Sequence, residues 1–189
     1  MRDRTTIRFL ETPVGRLRLA AVDGRLAECG WADPDEMVPA TSAAGAANHT
    51  VLERAAAQLE AYFAGARRDF DLPLARPTTV HAGKVRAAMQ AIPFGGAASY
   101  GDLARAIDGV ARAVGQACRH NPLAIIVPCH RVLGGGRGLG GFAGSTDPDG
   151  PELARKRWLL AHERRVAGEN LPLWSAGSER AAAPATQPG

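Results

Sequence analysis

No stretch of this sequence approaches the roughly 18 consecutive apolar residues that a membrane-spanning helix needs, so a membrane partner is not expected. Met1-Arg2-Asp3-Arg4-Thr5-Thr6 leads into no apolar segment of the kind that directs export. Cysteine is scarce: Cys29, Cys118 and Cys129 are the only three, and an odd count without an export signal predicts reduced thiols and a cytoplasmic or nucleoid-associated protein. A free, reactive thiol is left open. Lysine is nearly missing, with only Lys84 and Lys156, so arginine carries the positive charge. No internal repeat is visible.

What is present is a chain of 189 residues, 46% apolar and 22% charged, enough for one ordinary core or two small ones. The net charge of +4 is unevenly placed. Residues 1–78 hold ten Arg against eleven Asp or Glu, net −1, whereas residues 79–189 hold thirteen Lys or Arg against eight acids, net +5. A basic second part is a footprint for a polyanion. An Arg-rich, Ala-rich composition accounts for the same excess without function, and charge alone does not separate the two.

Alternation from Arg8 to Ala20, with Leu17, Leu19 and Ala21 spaced by two, is followed by Asp23-Gly24 and then Leu26 to Trp31. That pattern predicts a hairpin with an Asp-Gly turn. Val51, Leu52, Ala55, Leu59, Tyr62 and Phe63 fall at helical spacing over Thr50 to Gly65, and Phe70 to Leu74 reads as one more strand. Arg76-Pro77-Thr78 is the expected boundary between an N-terminal domain over 1–78 and a second domain over 79–174. Ser175 to Gly189, rich in Ala, Pro, Ser and Gln, is expected to be a disordered tail.

The second part opens with a helix over Lys84 to Ile92 ended by Pro93. Ser99 with Asp102 is a cap signal for another. Asp108-Gly109 then turns the chain into a third helix, Val110 to Arg119, closed by Asn121-Pro122. Two short helices about a Gly-containing turn form the helix-turn-helix pattern. Arg112, Gln116 and Arg119 share one face of the third helix, and Gly115 beside them allows close backbone approach. A solvated helix face is the bland alternative.

Leu123-Ala124-Ile125-Ile126-Val127 is β-branched and too short for a helix, so it is expected to be a buried strand, ending in Pro128-Cys129-His130-Arg131-Val132. A lone buried cysteine is in most proteins an inert small hydrophobe. Here His130 and Arg131 adjoin the sulfur and are expected to favour the nucleophilic thiolate. Adjacent side chains on an extended segment point apart, so His130 is expected to act through a water or a bend. Its imidazole needs an orienting carboxylate, for which Glu163, on a helix over Pro151 to Arg165, is the candidate; by spacing alone Glu163 is only a helix-surface acid.

These residues resemble the methylated-DNA–protein-cysteine methyltransferase family. The resemblance is carried by Asn121-Pro122 through Pro128-Cys129-His130-Arg131-Val132, by Ala111-Arg112-Ala113-Val114-Gly115, by Ile92-Pro93-Phe94-Gly95 with Ser99-Tyr100-Gly101, and by Lys156 through Glu163, in the same order and at similar spacing. Weaker likeness in Thr12-Pro13-Val14-Gly15 and in Leu59 through Gly65 extends it over residues 7 to about 165. The resemblance implies an α/β N-terminal domain of ribonuclease-H-like shape followed by a mostly helical domain with a winged helix-turn-helix. The implied activity is irreversible, single-turnover transfer of the alkyl group from O6-alkylguanine, and from O4-alkylthymine, in double-stranded DNA to Cys129, by a monomer, without cofactor or metal. His130 would activate the thiol through water, Glu163 would hold His130, and Tyr100 would supply a proton to the departing purine. Arg112 would fill the space of a flipped nucleotide, with Ala113, Gly115, Gln116 and Arg119 on DNA. Asn121 would tie the recognition helix to the active-site segment, and Val132, Phe142, Ala143 and Gly144 would line the base pocket.

The sequence departs from the family pattern at His81-Ala82, where a Phe-Gln pair is common, and at Arg86, where a Trp follows the Val. Phe142 replaces a frequent Tyr, and Thr146 to Glu152 reads as an insertion of about seven residues. None removes a reacting group. The rivals are a non-catalytic relative that binds alkylated DNA, disfavoured by Cys129 itself, and a winged-helix regulator whose thiol senses alkylation, disfavoured by the lack of a regulatory module. A metal site from Cys118, His120, Cys129 and His130 lacks paired-ligand spacing, and no acyl-pocket motif supports a thiol hydrolase.

Overall fold

The computed structural model describes residues 5–33, 35–37 and 45–168. The chain begins with an antiparallel meander of three strands, β1 Thr6–Leu10, β2 Leu17–Val22 and β3 Arg25–Trp31. The expected continuous strand from Arg8 to Ala20 is divided, because Gly15 at φ 104° and the Thr12 hydroxyl, which accepts from the Val14 N–H, fold residues 12–16 into a turn. Asp23 (φ 49°) and Gly24 (φ 71°) both take left-handed backbone, the geometry that matches the twist of a two-residue hairpin. Leu17, Leu19 and Ala21 point to one side of β2 and are fully buried.

That side is covered by helix α1, Ala46–Phe63, through Val51, Leu52, Ala55, Leu59 and Tyr62. The helix starts four residues before the expected Thr50, and Gly65 at φ 75° ends it as a left-handed cap. The strand expected over Phe70 to Leu74 shrinks to one bridge between Leu74 and Leu26. Pro73 has no N–H to continue a ladder; it offers only its carbonyl, to the Leu26 N–H at 2.8 Å.

The second half is helical. Helix α2, Val80–Gln90, begins at a Thr79 cap that was not expected. Strand β4, Ala98–Ser99, leads into α3, Tyr100–Ala106, through the anticipated capping box of Ser99 and Asp102. Asp108 at φ 53° turns the chain into α4, Ala111–Arg119. Strand β5, Val132–Leu133, pairs in parallel with β4, and α5, Pro151–Ala167, starts on the expected proline. The tail expected over 175–189 lies outside the described residues.

Leu123 to Val127 is buried as expected but is not a strand. It makes one bridge, Leu123 to Cys29 at the free edge of β3, and then coils, with Ile125 at φ 70° and the Val127 N–H donating to the Leu123 carbonyl at 2.8 Å. A β-branched apolar run signals burial more firmly than extension. The coil delivers the chain into a 3₁₀ turn, Cys129–Arg131, deep in a core cluster shared by β2, β3, α1, α4 and α5.

Candidate active site

Residues distant in sequence converge on the Glu163 carboxylate, which is fully buried. Its Oε1 accepts from Tyr62 Oη (2.9 Å), His130 Nε2 (2.7 Å) and Arg131 Nη2 (3.0 Å), and its Oε2 from Arg131 Nε (2.9 Å) and the Gly95 N–H (3.0 Å). Burial opposes the charge, but His130 and the two-pronged Arg131 outweigh it and hold the Glu163 carboxyl well below its ordinary range. Tyr62 is pushed the other way by burial and by Glu163, so it remains a donor.

Burial lowers the pKa of His130, which is completely enclosed, and keeps the ring neutral. Facing a carboxylate, Nε2 carries the proton, and Nδ1 is left as an acceptor. It is the buried side-chain nitrogen or oxygen without a hydrogen-bond partner among the described residues. A neutral imidazole with an open acceptor nitrogen is a general base held in the right tautomer.

Cys129 departs from expectation. Burial raises its pKa, although the Asn121 side chain, the Lys156 ammonium and the backbone N–H groups of Cys129 and His130 all favour the thiolate. Arg131 does not assist the sulfur: it is turned to Glu163 and to the Ile92 carbonyl (2.6 Å), because the 3₁₀ turn sends successive side chains in different directions. The resting group is therefore a thiol, and its proton needs a base before the sulfur can attack.

Beside the thiol lies a cavity of about 260 Å³ lined by Cys129, Tyr100, Arg112, Gly115, Gln116, Cys118, Arg119 and residues 141–146. Tyr100 donates to the Gly141 carbonyl at 3.3 Å, and burial raises its pKa to about 12, so it holds its proton at neutral pH. Phe142, Ala143 and Gly144 form a tight turn closed by paired Phe142–Ser145 hydrogen bonds of 2.9 Å. The segment expected as an insertion is exposed from Thr146 to Asp149, where the Asp147 carboxylate accepts from the Asp149 N–H.

Three expected site residues do not line this cavity. Ala113 lines a neighbouring groove between α4 and α2, because it is one residue out of phase with Arg112. Val132 is fully buried in β5, and its carbonyl, not its side chain, serves the site. Asn121 is outside the cavity wall but links the end of α4 to the coil, donating to the Val127 carbonyl (2.9 Å) and accepting from the Leu123 N–H (3.2 Å).

Lys156 was not anticipated as a site residue. Its ammonium is buried and donates to the carbonyls of Val132 (2.6 Å), Leu139 (2.6 Å) and Gly141 (3.0 Å), tying the loop before the cavity to α5. Burial pulls its pKa down to about 8. Its scarcity was the available signal: one of two lysines, three residues from Leu153 and from Leu159 and so on their helix face. Tyr62 and Gly95 were missed as Glu163 partners, and Cys118, Ser145 and Thr146 as cavity walls. Among the described residues no group of three or more His, Cys, Asp or Glu side chains could hold a metal ion.

A buried cysteine next in sequence to a carboxylate-oriented histidine, opening on a cavity walled by the second helix of a helix-turn-helix, is the arrangement of a protein that accepts a group on sulfur. Two family models match: "6-O-methylguanine DNA methyltransferase, ribonuclease-like domain" over residues 6–76 and its "DNA binding domain" over residues 81–165. A methylated-DNA–protein-cysteine methyltransferase of Mycolicibacterium paratuberculosis is 38% identical over 169 residues, covering 88% of this chain and 97% of that one. The constitutive Bacillus subtilis protein of the same name is 42% identical over 142 residues, 71% of this chain and 84% of its own. The crystal structure of Mycobacterium tuberculosis O6-methylguanine methyltransferase superposes with a TM-score of 0.71 at 34% identity, covering 88% and 96% of the two chains. A structure from that organism in complex with DNA gives 0.70 at 38% identity, covering 85% and 93%. The chain belongs to the methylated-DNA–protein-cysteine methyltransferase family.

Proposed function

We propose that this protein repairs DNA by moving the alkyl group of O6-alkylguanine, once and irreversibly, onto Cys129. The observation that carries this is the buried series Glu163–His130–Cys129 opening on the cavity beneath α4. In this mechanism His130 Nδ1 takes the Cys129 proton through a water, and the sulfur attacks the alkyl carbon as its bond to O6 breaks. The electron pair passes into the purine, which takes a proton from Tyr100. The proton that left Cys129 restores the tyrosine, so the products are a thioether and an ordinary guanine. Arg112 and Gln116 stand on the cavity rim, where a nucleotide turned out of a duplex would enter, and Arg119 adds positive charge there. O4-alkylthymine is a second, smaller substrate of the same chemistry.

We retain the division into 1–78 and 79–174, with the loop between β5 and α5 as the wing. A cytoplasmic location is part of this reading, and the free cysteines support it; no described helix is long and apolar enough to cross a membrane.

Incubation with a duplex carrying O6-methylguanine, followed by peptide mass spectrometry, is expected to find one methyl on Cys129 and none on Cys29 or Cys118, with moles of lesion repaired never exceeding moles of protein. Methylation elsewhere, or multiple turnover, refutes the assignment. Arg112→Ala is expected to slow repair in duplex DNA by about tenfold or more, the loss of one DNA-contacting arginine, while reaction with free O6-benzylguanine stays near the parent rate. Equal losses on both substrates would make Arg112 a structural residue.

A further inference from the structure

One wall of the cavity is propped from the other half of the chain. Phe142 is 4% exposed, and its backbone is fixed by the turn it closes with Ser145, in which Ala143 (φ 46°) and Gly144 (φ 87°) are both left-handed. With the backbone held, the ring's position depends on what stands behind it. That is Trp31, the last residue of β3, edge-on to Phe142 with ring centroids 5.4 Å apart and planes at 70°. Such a pair has a preferred geometry beyond simple burial.

Trp31 is itself fixed. Its indole N–H donates to the Val14 carbonyl at 3.0 Å, and the same carbonyl accepts from Arg155 Nε at 3.1 Å. The Arg155 guanidinium lies 5.1 Å from the Trp31 ring centroid, so β3, the residue 12–16 turn and α5 clamp the indole together. Among the described residues Trp31 is the aromatic ring that packs on Phe142.

We propose that Trp31 is a specificity-determining positioning residue: it holds the Phe142 ring into the cavity and so limits the size of the alkyl group that can reach Cys129. This rests on the alkyl-transfer function proposed above. Removal of the indole leaves a space behind Phe142 into which the ring can swing, and the cavity widens on the side away from α4. Small adducts need no such room, whereas bulky ones do. The N-terminal half therefore takes part in substrate choice without touching substrate.

The test uses the full chain and two duplexes, carrying O6-methylguanine or O6-benzylguanine, with single-turnover rates for the parent, Trp31→Ala, Trp31→Phe, Phe142→Ala and the Trp31→Ala/Phe142→Ala double variant. Trp31→Ala is expected to raise the benzyl-to-methyl rate ratio by about tenfold, the usual scale for relieving a tight apolar pocket. Trp31→Phe should raise it less. In the Phe142→Ala background, Trp31→Ala should change the ratio no further, because the ring through which it acts has gone. An unchanged ratio in Trp31→Ala with a normal melting temperature overturns the proposal, and so does a Trp31 effect that survives the loss of Phe142. Should Trp31→Ala not fold, an unchanged ratio in Trp31→Phe overturns it equally. A parent that transfers neither alkyl group to Cys129 overturns the proposed function and this inference with it, and that failure shows before any variant is made.

Discussion

Glu163→Gln is expected to slow alkyl transfer to Cys129 by about 10²–10⁴-fold, the range for loss of a positioned acid–base group, while changing affinity for undamaged DNA little. The amide can still accept from one donor, but it neither fixes the His130 tautomer nor neutralises Arg131. A buried guanidinium without its counter-charge costs about 3–5 kcal/mol, so the melting temperature should fall by roughly 10 °C. Two readouts separate chemistry from folding. At a temperature where the variant is fully folded the rate defect should persist, and the acid limb of the rate against pH should lose the shape set by His130. Equal losses of transfer and DNA affinity would mean that Glu163 only holds the fold.

The same pair fixes how the parent responds to acid. His130, its pKa lowered by burial, stays neutral in the fold while the unfolded chain takes up a proton near 6.5. Glu163 stays ionised in the fold while its unfolded carboxyl protonates near 4.5. At both groups the unfolded chain binds more protons, so stability falls as pH drops below about 6.5 and falls again below about 4.5. Melting temperature against pH checks this, and in Glu163→Gln the lower of the two declines should shrink.

Lys156→Met is expected to produce the second large loss. Methionine fills the volume but gives no hydrogen to the Val132, Leu139 and Gly141 carbonyls, and it removes the positive charge that favours the Cys129 thiolate. Alkyl transfer should slow by about 10²-fold, because without the Lys156 charge the buried thiol ionises less readily and the cavity wall is looser. The discriminating measurement is the pH profile of Cys129 modification by iodoacetamide, which should move to higher pH. A slower repair reaction with an unmoved iodoacetamide profile would confine Lys156 to bracing the loop.

Local signals in the sequence proved legible where a single segment decides its own shape. Asp23-Gly24, the Ser99–Asp102 box, the limits of α4 and the proline that starts α5 needed no partner to be read. Cys129, His130 and Glu163 came together as anticipated because a motif resemblance supplied what spacing could not. The misses share a cause in distance. Leu123 to Val127 carries the composition of a strand, yet after one bridge to Cys29 the chain turns away from β3 through Ile125 at φ 70°. Arg131 reads as the sulfur's neighbour until Glu163, 32 residues away, claims it. Tyr62 reads as a core aromatic of α1 until its hydroxyl meets a carboxylate 101 residues later.

The convergence on Glu163 also orders events in time. A ribosome makes Tyr62, Gly95, Cys129, His130 and Arg131 before it makes the acid they surround, and at about 5–20 residues per second several seconds of synthesis separate the sulfur from its carboxylate. During that interval His130 has no partner to set its tautomer. On the function proposed above, a protein whose one reactive group is used only once gains the partner of its base with nearly the last turn of its last described helix, after the cavity walls have been made.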